Sequence, residues 1–242
     1  MTARLGVLVP SGNPTIEPEL YRMAPRGLTI HFARLESLAG DPGAADGMAE
    51  RTLGYLDSLE RAIRSLEALR PGAVVLSHTA VSYLTGFKGE AGLLERVAQL
   101  SGTRPLTAAT AIAEALRHLG ARRIALATPY PEVIASAGRA YWTAAGFDIV
   151  AHRGLPGVTN IYEETEERAY TLGREADAPG ADAVLISGTG LPTAGIVERL
   201  ERDLGKPVIC NNAVSIWAGL RLLKRTDSVS GYGRLLRDHL RA

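Results

Sequence analysis

Two strand-like stretches of the chain end in nearly the same residues but differ at one position. The segments are "AVVLSHTA" from Ala73 and "AVLISGTG" from Ala183, each an apolar run followed by Ser, one further residue and Thr. The intervening residue is His78 in the first segment and Gly188 in the second. An imidazole can take up or release a proton near neutral pH. We therefore predict that His78 is the catalytic residue and that Gly188 lies opposite it.

Uncharged hydrogen-bonding groups surround these two strand ends in the sequence. They follow the strands in "PSGNPTIEPE", "SHTA", "TPYPEV" and "GLPGVTNIYEE". Hydroxyls, amides and backbone N–H groups at helix starts can bind a carboxylate, or the enediolate formed at its α-carbon. The same residue types are also ordinary turn and N-cap residues. The candidate substrate-binding residues are Ser11, Asn13, Thr79, Tyr130, Asn160, Gly188 and Thr189.

Other reactive side chains are assigned to the scaffold. Ser77 and Ser187 lie outside the Gly-x-Ser-x-Gly context of a nucleophile elbow, so we expect them to bond backbone groups rather than attack a substrate. His78 has no second ligand at a suitable spacing, so no metal site is predicted. The single cysteine, Cys210, excludes internal disulfides and is expected to be a packed core thiol.

The order of elements repeats along the chain, which predicts an α/β protein with parallel strands. "RRIALATPY" mirrors "ARLGVLVPS", and "FDIVAHRG" takes the place of "LTIHFARL". Apolar spacing predicts helices over about 45–69, 89–101, 108–119 and 161–176. Parallel sheets bind small ligands at the carboxyl ends of their strands. We expect two halves that face one another across a cleft, with His78 and Gly188 on its two sides.

Composition narrows the class of protein. The 242 residues are 46% hydrophobic and 22% charged, with a net charge of +1 that gives no reason to expect a nucleic-acid or membrane partner. No apolar run approaches the roughly 18 residues of a membrane span. With no secretory pattern at the N-terminus, a cytoplasmic protein is expected. We place one domain over residues 1–107 plus 214–242 and the other over 108–213.

Several motifs together resemble a known group. "GVLVPSGNPTIEPEL", "HTAVSYLTG", "RRIALATPY", "SGTGLPTAGIVERLERDLGKPV" and "SGYGRLL" are similar to the aspartate/glutamate racemase superfamily, in the branch of maleate cis-trans isomerase and arylmalonate decarboxylase. The likeness covers nearly the whole length. It implies two pseudo-symmetric Rossmann-like domains with parallel four-stranded sheets and an active site in the cleft between them. It also implies no cofactor, a small carboxylate substrate and, from family habit, a homo-oligomer.

The resemblance also implies roles for single residues. Relatives usually carry one or two cysteines at the two strand ends, where this chain has His78 and Gly188. Asn13, Tyr130 and Asn160 match carboxylate-binding positions of the isomerases. Thr79, Tyr130 and the amide after Gly188 match the carboxylate pocket of the decarboxylase, although Ala80 replaces a serine of that enzyme.

Three functional hypotheses stay open at the level of sequence. The first is an enzyme in which His78 is the sole acid/base for isomerisation, lyase chemistry such as decarboxylation, or hydration of a small mono- or dicarboxylate. The second is a protein of the racemase fold that acts on an amino-acid-like compound in a catabolic gene cluster. The third is a non-catalytic protein that binds a carboxylate, motivated by the loss of both cysteines.

Overall fold

The computed structural model describes residues 2–41 and 43–240, which form two sheets of four parallel strands each. The first sheet contains β1 (Ala3–Pro10), β2 (Leu28–Leu35), β3 (Ala73–Leu76) and β4 (Arg104–Thr107). The second contains β5 (Arg123–Thr128), β6 (Asp148–Gly154), β7 (Ala183–Ile186) and β8 (Val208–Cys210). The orders, β2-β1-β3-β4 and β6-β5-β7-β8, are equivalent. The predicted duplicated α/β fold is therefore confirmed.

The inner strands β3 and β7 are apolar and buried throughout, as parallel strands covered on both faces must be. Each pairs with its neighbour in the same register. Leu5 lies opposite Ala73 in the first sheet, and Ile124 lies opposite Ala183 in the second. The two inner strands thus end at the same level of their sheets, which fixes the positions of the residues that follow them.

Helices surround both sheets. They are α1 (Ile16–Met23), α2 (Met48–Gly54), α3 (Leu59–Ser65), α4 (Thr79–Thr85), α5 (Glu90–Ser101), α6 (Ala108–His118), α7 (Glu132–Ala144), α8 (Glu166–Ala176), α9 (Val197–Leu204), α10 (Asn211–Leu222) and α11 (Arg234–Asp238). Short 3₁₀ helices lie at Tyr55–Ser58, Glu67–Leu69 and Ile161–Glu163. None of the helices in the described part of the chain is both long and apolar enough to cross a membrane.

Two of the predicted helices match the structure, and the other two are longer than the helices observed. The helices predicted over 89–101 and 108–119 match α5 and α6 to within one residue at each end. The helix predicted over 45–69 is instead α2 and α3 with two 3₁₀ segments, and the apolar side chain of Leu53 within this range is exposed. Thr165 caps α8, so the helix predicted from residue 161 starts at Glu166. The short α4 has no predicted counterpart.

A buried carboxylate joins the two halves of the repeat. Glu19 on α1 accepts hydrogen bonds from the backbone N–H groups of Thr193 (2.6 Å) and Ala194 (2.8 Å) and from Asn212 Nδ2 (2.7 Å). Burial raises the pKa of this carboxyl, and the three donors oppose the rise. Because Glu19 lies in the first half and all three donors lie beyond β7, the contacts hold the strand ends of the two halves together.

Candidate active site

The two strand ends compared in the sequence occupy equivalent places in the structure. Because Ala73 and Ala183 lie on matching rungs of the two sheets, His78 and Gly188 lie at matching distances along the chain beyond them. His78 immediately precedes α4 and has extended backbone angles. Gly188 has a φ of +137°, in the region that favours glycine. The predicted equivalence of the two positions is thus borne out by the register of the sheets.

One asparagine connects the two strand ends. Asn211, the first residue of α10, donates from Nδ2 to Thr79 Oγ1 (2.6 Å) and accepts at Oδ1 from the N–H of Gly188 (3.3 Å). Thr79 Oγ1 is also hydrogen-bonded to the Tyr130 hydroxyl (3.0 Å). A buried chain of hydrogen bonds therefore runs from Tyr130 through Thr79 and Asn211 to Gly188.

The serines of the two strand ends belong to the scaffold, although their partners differ from the prediction. Ser77 Oγ bonds Ser215 Oγ (3.1 Å), and Ser187 Oγ bonds the Tyr83 hydroxyl (2.7 Å). The hydroxyl of Tyr83 also accepts from Trp142 Nε1 (2.9 Å). Both serines thus bond side chains of the opposite repeat rather than backbone groups, because the strand ends approach one another closely.

His78 is a buried and uncharged base. Its ring packs edge-to-face against Tyr55, with the centroids 5.4 Å apart, and only 8% of the residue is exposed. Burial and, to a smaller extent, the positive charge of Arg51 lower the pKa of His78 to about 3. Within the described part of the chain, Nδ1 has no hydrogen-bond partner. The imidazole is therefore neutral at pH 7 and is free to accept a proton or a hydrogen bond.

His78 lines a small cavity of about 20 Å³. That volume holds about one water molecule, so a larger ligand can enter only when the lining segments separate. The polar side chains in its wall are Arg51, Thr52, Tyr55, His78, Tyr130, Tyr162 and Thr189. Burial raises the pKa of Tyr130 to about 12 and also raises the pKa of Tyr55 and Tyr162. All three phenols are therefore protonated donors at neutral pH.

Two loops close the mouth of this cavity. The N–H of Ile161 donates to Gly43 O (2.9 Å), and Ala44 forms an antiparallel bridge with Asn160. The ring of Tyr162 lies between two glycines, since a Cβ on Gly43 would overlap it and one on Gly190 would lie 2.7 Å from Cε1. The loop before α2 and the loop before α8, which are equivalent in the repeat, thus meet over the cavity.

The predicted binding residues fall into two groups. Tyr130 and Thr189 line the cavity, and Thr79 bonds Tyr130 next to it. The other predicted residues support the wall: Asn13 Oδ1 caps α1 while its Nδ2 donates to Thr189 Oγ1 (3.4 Å), and Asn160 Oδ1 accepts from the N–H of Tyr162 (2.9 Å).

Ser11 and Gly188 are not among the residues that line the cavity. Ser11 is half-buried and interacts with the Tyr55 hydroxyl. The N–H of Gly188 is bonded to Asn211, and the wall beside it is formed by Thr189 and Gly190. Among the described residues, no group of three His, Cys, Asp or Glu side chains could hold a metal ion.

Sequence reasoning missed Arg51, Tyr55, Tyr162 and Asn211. A signal for Arg51 was present, because Met48, Arg51, Thr52 and Tyr55 recur at helical spacing and all line the cavity. A buried arginine within such a stripe is uncommon and indicates a polar site. Asn211 follows β8 directly, so its place at a strand end was also a signal.

Comparisons with known proteins identify the family to which the chain belongs. The model of the arylmalonate decarboxylase family matches residues 5–236. The chain is 32% identical to the maleate isomerase of Nocardia farcinica, over 97% of this chain and 96% of that protein. It is 27% identical to the arylmalonate decarboxylase of Bordetella bronchiseptica, over the same shares of both chains.

Solved structures give the same result. A mutant of the Nocardia farcinica maleate cis-trans isomerase with a covalently bound succinylcysteine intermediate superposes with a TM-score of 0.87 at 27% identity, covering 97% of this chain and 98% of that one. A double mutant of arylmalonate decarboxylase in its liganded form gives a TM-score of 0.84 at 26% identity, covering 97% and 99%. The chain belongs to the arylmalonate decarboxylase family.

Proposed function

We propose that the chain is a cofactor-independent enzyme in which His78 moves a proton at the α-carbon of a small mono- or dicarboxylate. The reaction is of the isomerase or racemase type and is related to that of maleate isomerases. The neutral imidazole accepts the α-proton, and the electron pair moves onto the carboxylate to give an enediolate. The imidazolium then returns the proton to a different carbon of a conjugated anion, which shifts the double bond, or to the α-carbon after the planar anion has turned over, which inverts that carbon. The observation that carries the proposal is a buried, uncharged imidazole in the wall of a small polar cavity.

The groups around His78 support this chemistry. An enediolate bears more negative charge on its oxygens than the carboxylate from which it forms, so donors fixed in advance stabilise it selectively. Tyr130 and Thr189 provide hydroxyls in the cavity wall, and Thr79 and Asn211 hold Tyr130 in place. Gly188 has no side chain to deliver a proton from the other strand end, which favours chemistry on one face of the substrate.

The decarboxylase-like lyase reaction is the second candidate. It is favoured only by the family match.

Exchange of α-protons in D2O tests the role of His78 directly. Maleate, malonate, methylmalonate, succinate, malate, aspartate and phenylmalonate are incubated with the protein, and NMR follows deuterium incorporation, isomerisation and loss of CO2. We expect turnover of at least one small acid, and a loss of at least about 100-fold in His78→Gln. His31→Gln, which changes a half-buried histidine on β2, is the matched control.

Three results would separate the alternatives. Loss of CO2 alone identifies the lyase. Full turnover in His78→Gln excludes His78 as the acid/base. Calorimetric binding of an acid with no product over days identifies a non-catalytic carboxylate-binding protein.

A further inference from the structure

The cavity contains a buried positive charge without a counter-charge. Arg51 is 3% exposed and is the one charged side chain among the described residues that line the cavity, given the neutral His78. No carboxylate of the described residues lies within 4 Å of its guanidinium. It donates to the backbone carbonyls of Ala44 and Asp46, the latter at 3.3 Å.

Such a charge destabilises the folded protein unless an anion accompanies it. Removal of an ion from water is unfavourable, and carbonyl dipoles compensate for only part of the loss. A guanidinium has five N–H donors in a planar arrangement, so the two carbonyls and the neighbouring Tyr55 hydroxyl leave donors available. That arrangement fits a carboxylate better than it fits any neutral group. The chemistry of the unpaired residue therefore points to an anionic ligand.

The neighbours of Arg51 indicate where such an anion would lie. Met48, Arg51, Thr52 and Tyr55 form one face of α2 and the turn that follows it, and this face is a wall of the cavity. His78 contacts Tyr55 and experiences the charge of Arg51. An anion paired with Arg51 would therefore lie close to the imidazole.

The remaining wall of the cavity offers a second, uncharged set of donors. Tyr130, Tyr162 and Thr189 present hydroxyls from the other half of the repeat. A ligand with one carboxylate that binds these hydroxyls leaves Arg51 without a partner. A ligand with two acidic groups satisfies both.

We propose that Arg51 is the anion-recognition residue of the cavity, and that its pairing with one carboxylate makes the site select a dianion over a monoanion of the same shape. This inference rests on the proposed function for the site but concerns binding alone. Pairing would also cancel part of the positive field at His78, so the pKa of the imidazole rises when the ligand binds. The base would then gain proton affinity in the complex.

Calorimetry with two probes of the same carbon skeleton tests the inference. Maleate carries two carboxylates, and (Z)-but-2-enoate carries a methyl group in place of one of them. We expect the wild-type protein to bind maleate about 10- to 100-fold more tightly. Arg51→Met should lose most of this preference, while its affinity for (Z)-but-2-enoate changes less than about threefold.

Two further variants control for structural effects. Arg64→Met removes an exposed arginine paired with Glu60 and should leave both affinities unchanged. Arg51→Lys keeps the charge but not the planar donors, so it should keep a reduced preference for maleate. It also serves as the test if Arg51→Met does not fold.

Other results would contradict the proposed role of Arg51. An equal loss of affinity for both probes in folded Arg51 variants would show that Arg51 only holds the loop at Ala44 and Asp46. Absence of maleate binding, or no preference for maleate, in the wild-type protein would also overturn the inference. Failure of the proposed function is distinct, because it appears as unchanged turnover in His78→Gln whatever the two affinities are.

Discussion

The strand end after β3 and the strand end after β7 have the same scaffold and different chemistry. In both, a buried serine bonds across to the other half of the repeat, and a buried threonine follows two residues later. Between the serine and the threonine, the first half has the imidazole of His78, and the second half has Gly188, which has no side chain. After Thr79 a helix begins at once, whereas the chain after Thr189 forms turns until α9 begins at Val197.

The two halves of the repeat contribute different kinds of side chain to the cavity. The first half supplies the charged and titratable groups, Arg51 and His78. The second half supplies neutral donors, Tyr130 and Thr189, and closes the cavity with Tyr162. A symmetric scaffold can thus hold an asymmetric site, because the register of the sheets fixes where side chains lie without fixing what they are.

Breaking the link between the strand ends should have the largest effect on stability. Asn211→Ala removes the bond to Thr79 Oγ1 and leaves the buried N–H of Gly188 without a partner. The expected loss in free energy of unfolding is about 3 kcal/mol. Urea denaturation measures it. A loss below about 0.5 kcal/mol would mean that the two strand ends are held together without this residue.

Adding a side chain to the second strand end should have the next largest effect. In Gly188→Ala the Cβ would lie 3.0 Å from Pro129 Cγ, at a φ that L-residues rarely adopt. We expect the free energy of unfolding to fall by about 2 kcal/mol. A cysteine at this position would carry the same strain.

Gly86→Ala is the matched control, because Gly86 also has a positive φ but its added Cβ would meet nothing within 4 Å. The free energy of unfolding of Gly86→Ala should fall by about 1 kcal/mol, because of backbone strain alone. If Gly188→Ala is as stable as the wild-type protein, then the two strand ends differ only in side chain and not in backbone.

Lowering the pH should produce the smallest of the three effects on the free energy of unfolding. The effect comes from His78, in the first strand end, because Gly188 in the second has no side chain to titrate. The pKa of His78 is about 3 in the folded protein and about 6.5 when unfolded, so the unfolded chain binds the proton more tightly. Stability contributed by the neutral imidazole is complete above pH 6.5 and is lost as the pH falls from 6.5 towards 3.

The wild-type protein should therefore lose about 1.5 kcal/mol between pH 7.5 and 5.5 that His78→Gln does not lose. Denaturation of both proteins at each pH measures the difference. Parallel losses would show that His78 takes up its proton in the folded protein as readily as in the unfolded chain, which would contradict an imidazole that burial keeps neutral at pH 5.5.

Local patterns predicted the fold well because the inner strands and regular helices are defined by local spacing. The apolar runs at β3 and β7, and the helices α5 and α6, could be read directly from the sequence. The division into domains at residues 107 and 213 stays a prediction. Where a cap or a 3₁₀ turn interrupts a helix, as at Thr165, the periodic pattern continues through the break and the prediction is too long.

The candidate site was only partly accessible to such reasoning. Tyr130, Thr79 and Thr189 follow strands, and their positions suggested the cavity from the sequence alone. Arg51 could have been found from its helical spacing with Met48 and Tyr55, whereas Tyr162 comes from a segment whose path depends on contacts between the two halves, so no local pattern places Tyr162 there. The roles of His78 and of the predicted binding residues stay predictions that the experiments above address.

The sequence by itself determined the repeat, the parallel sheets and the equivalence of His78 and Gly188, because the apolar strand segments and their order are visible in local patterns. Tertiary structure alone decided that His78 is buried and neutral beside Arg51, and that Asn211 joins the strand ends. The burial of a side chain, the charges near it and its hydrogen bonds depend on which distant segments come into contact. These contacts form only when the two halves of the chain pack together.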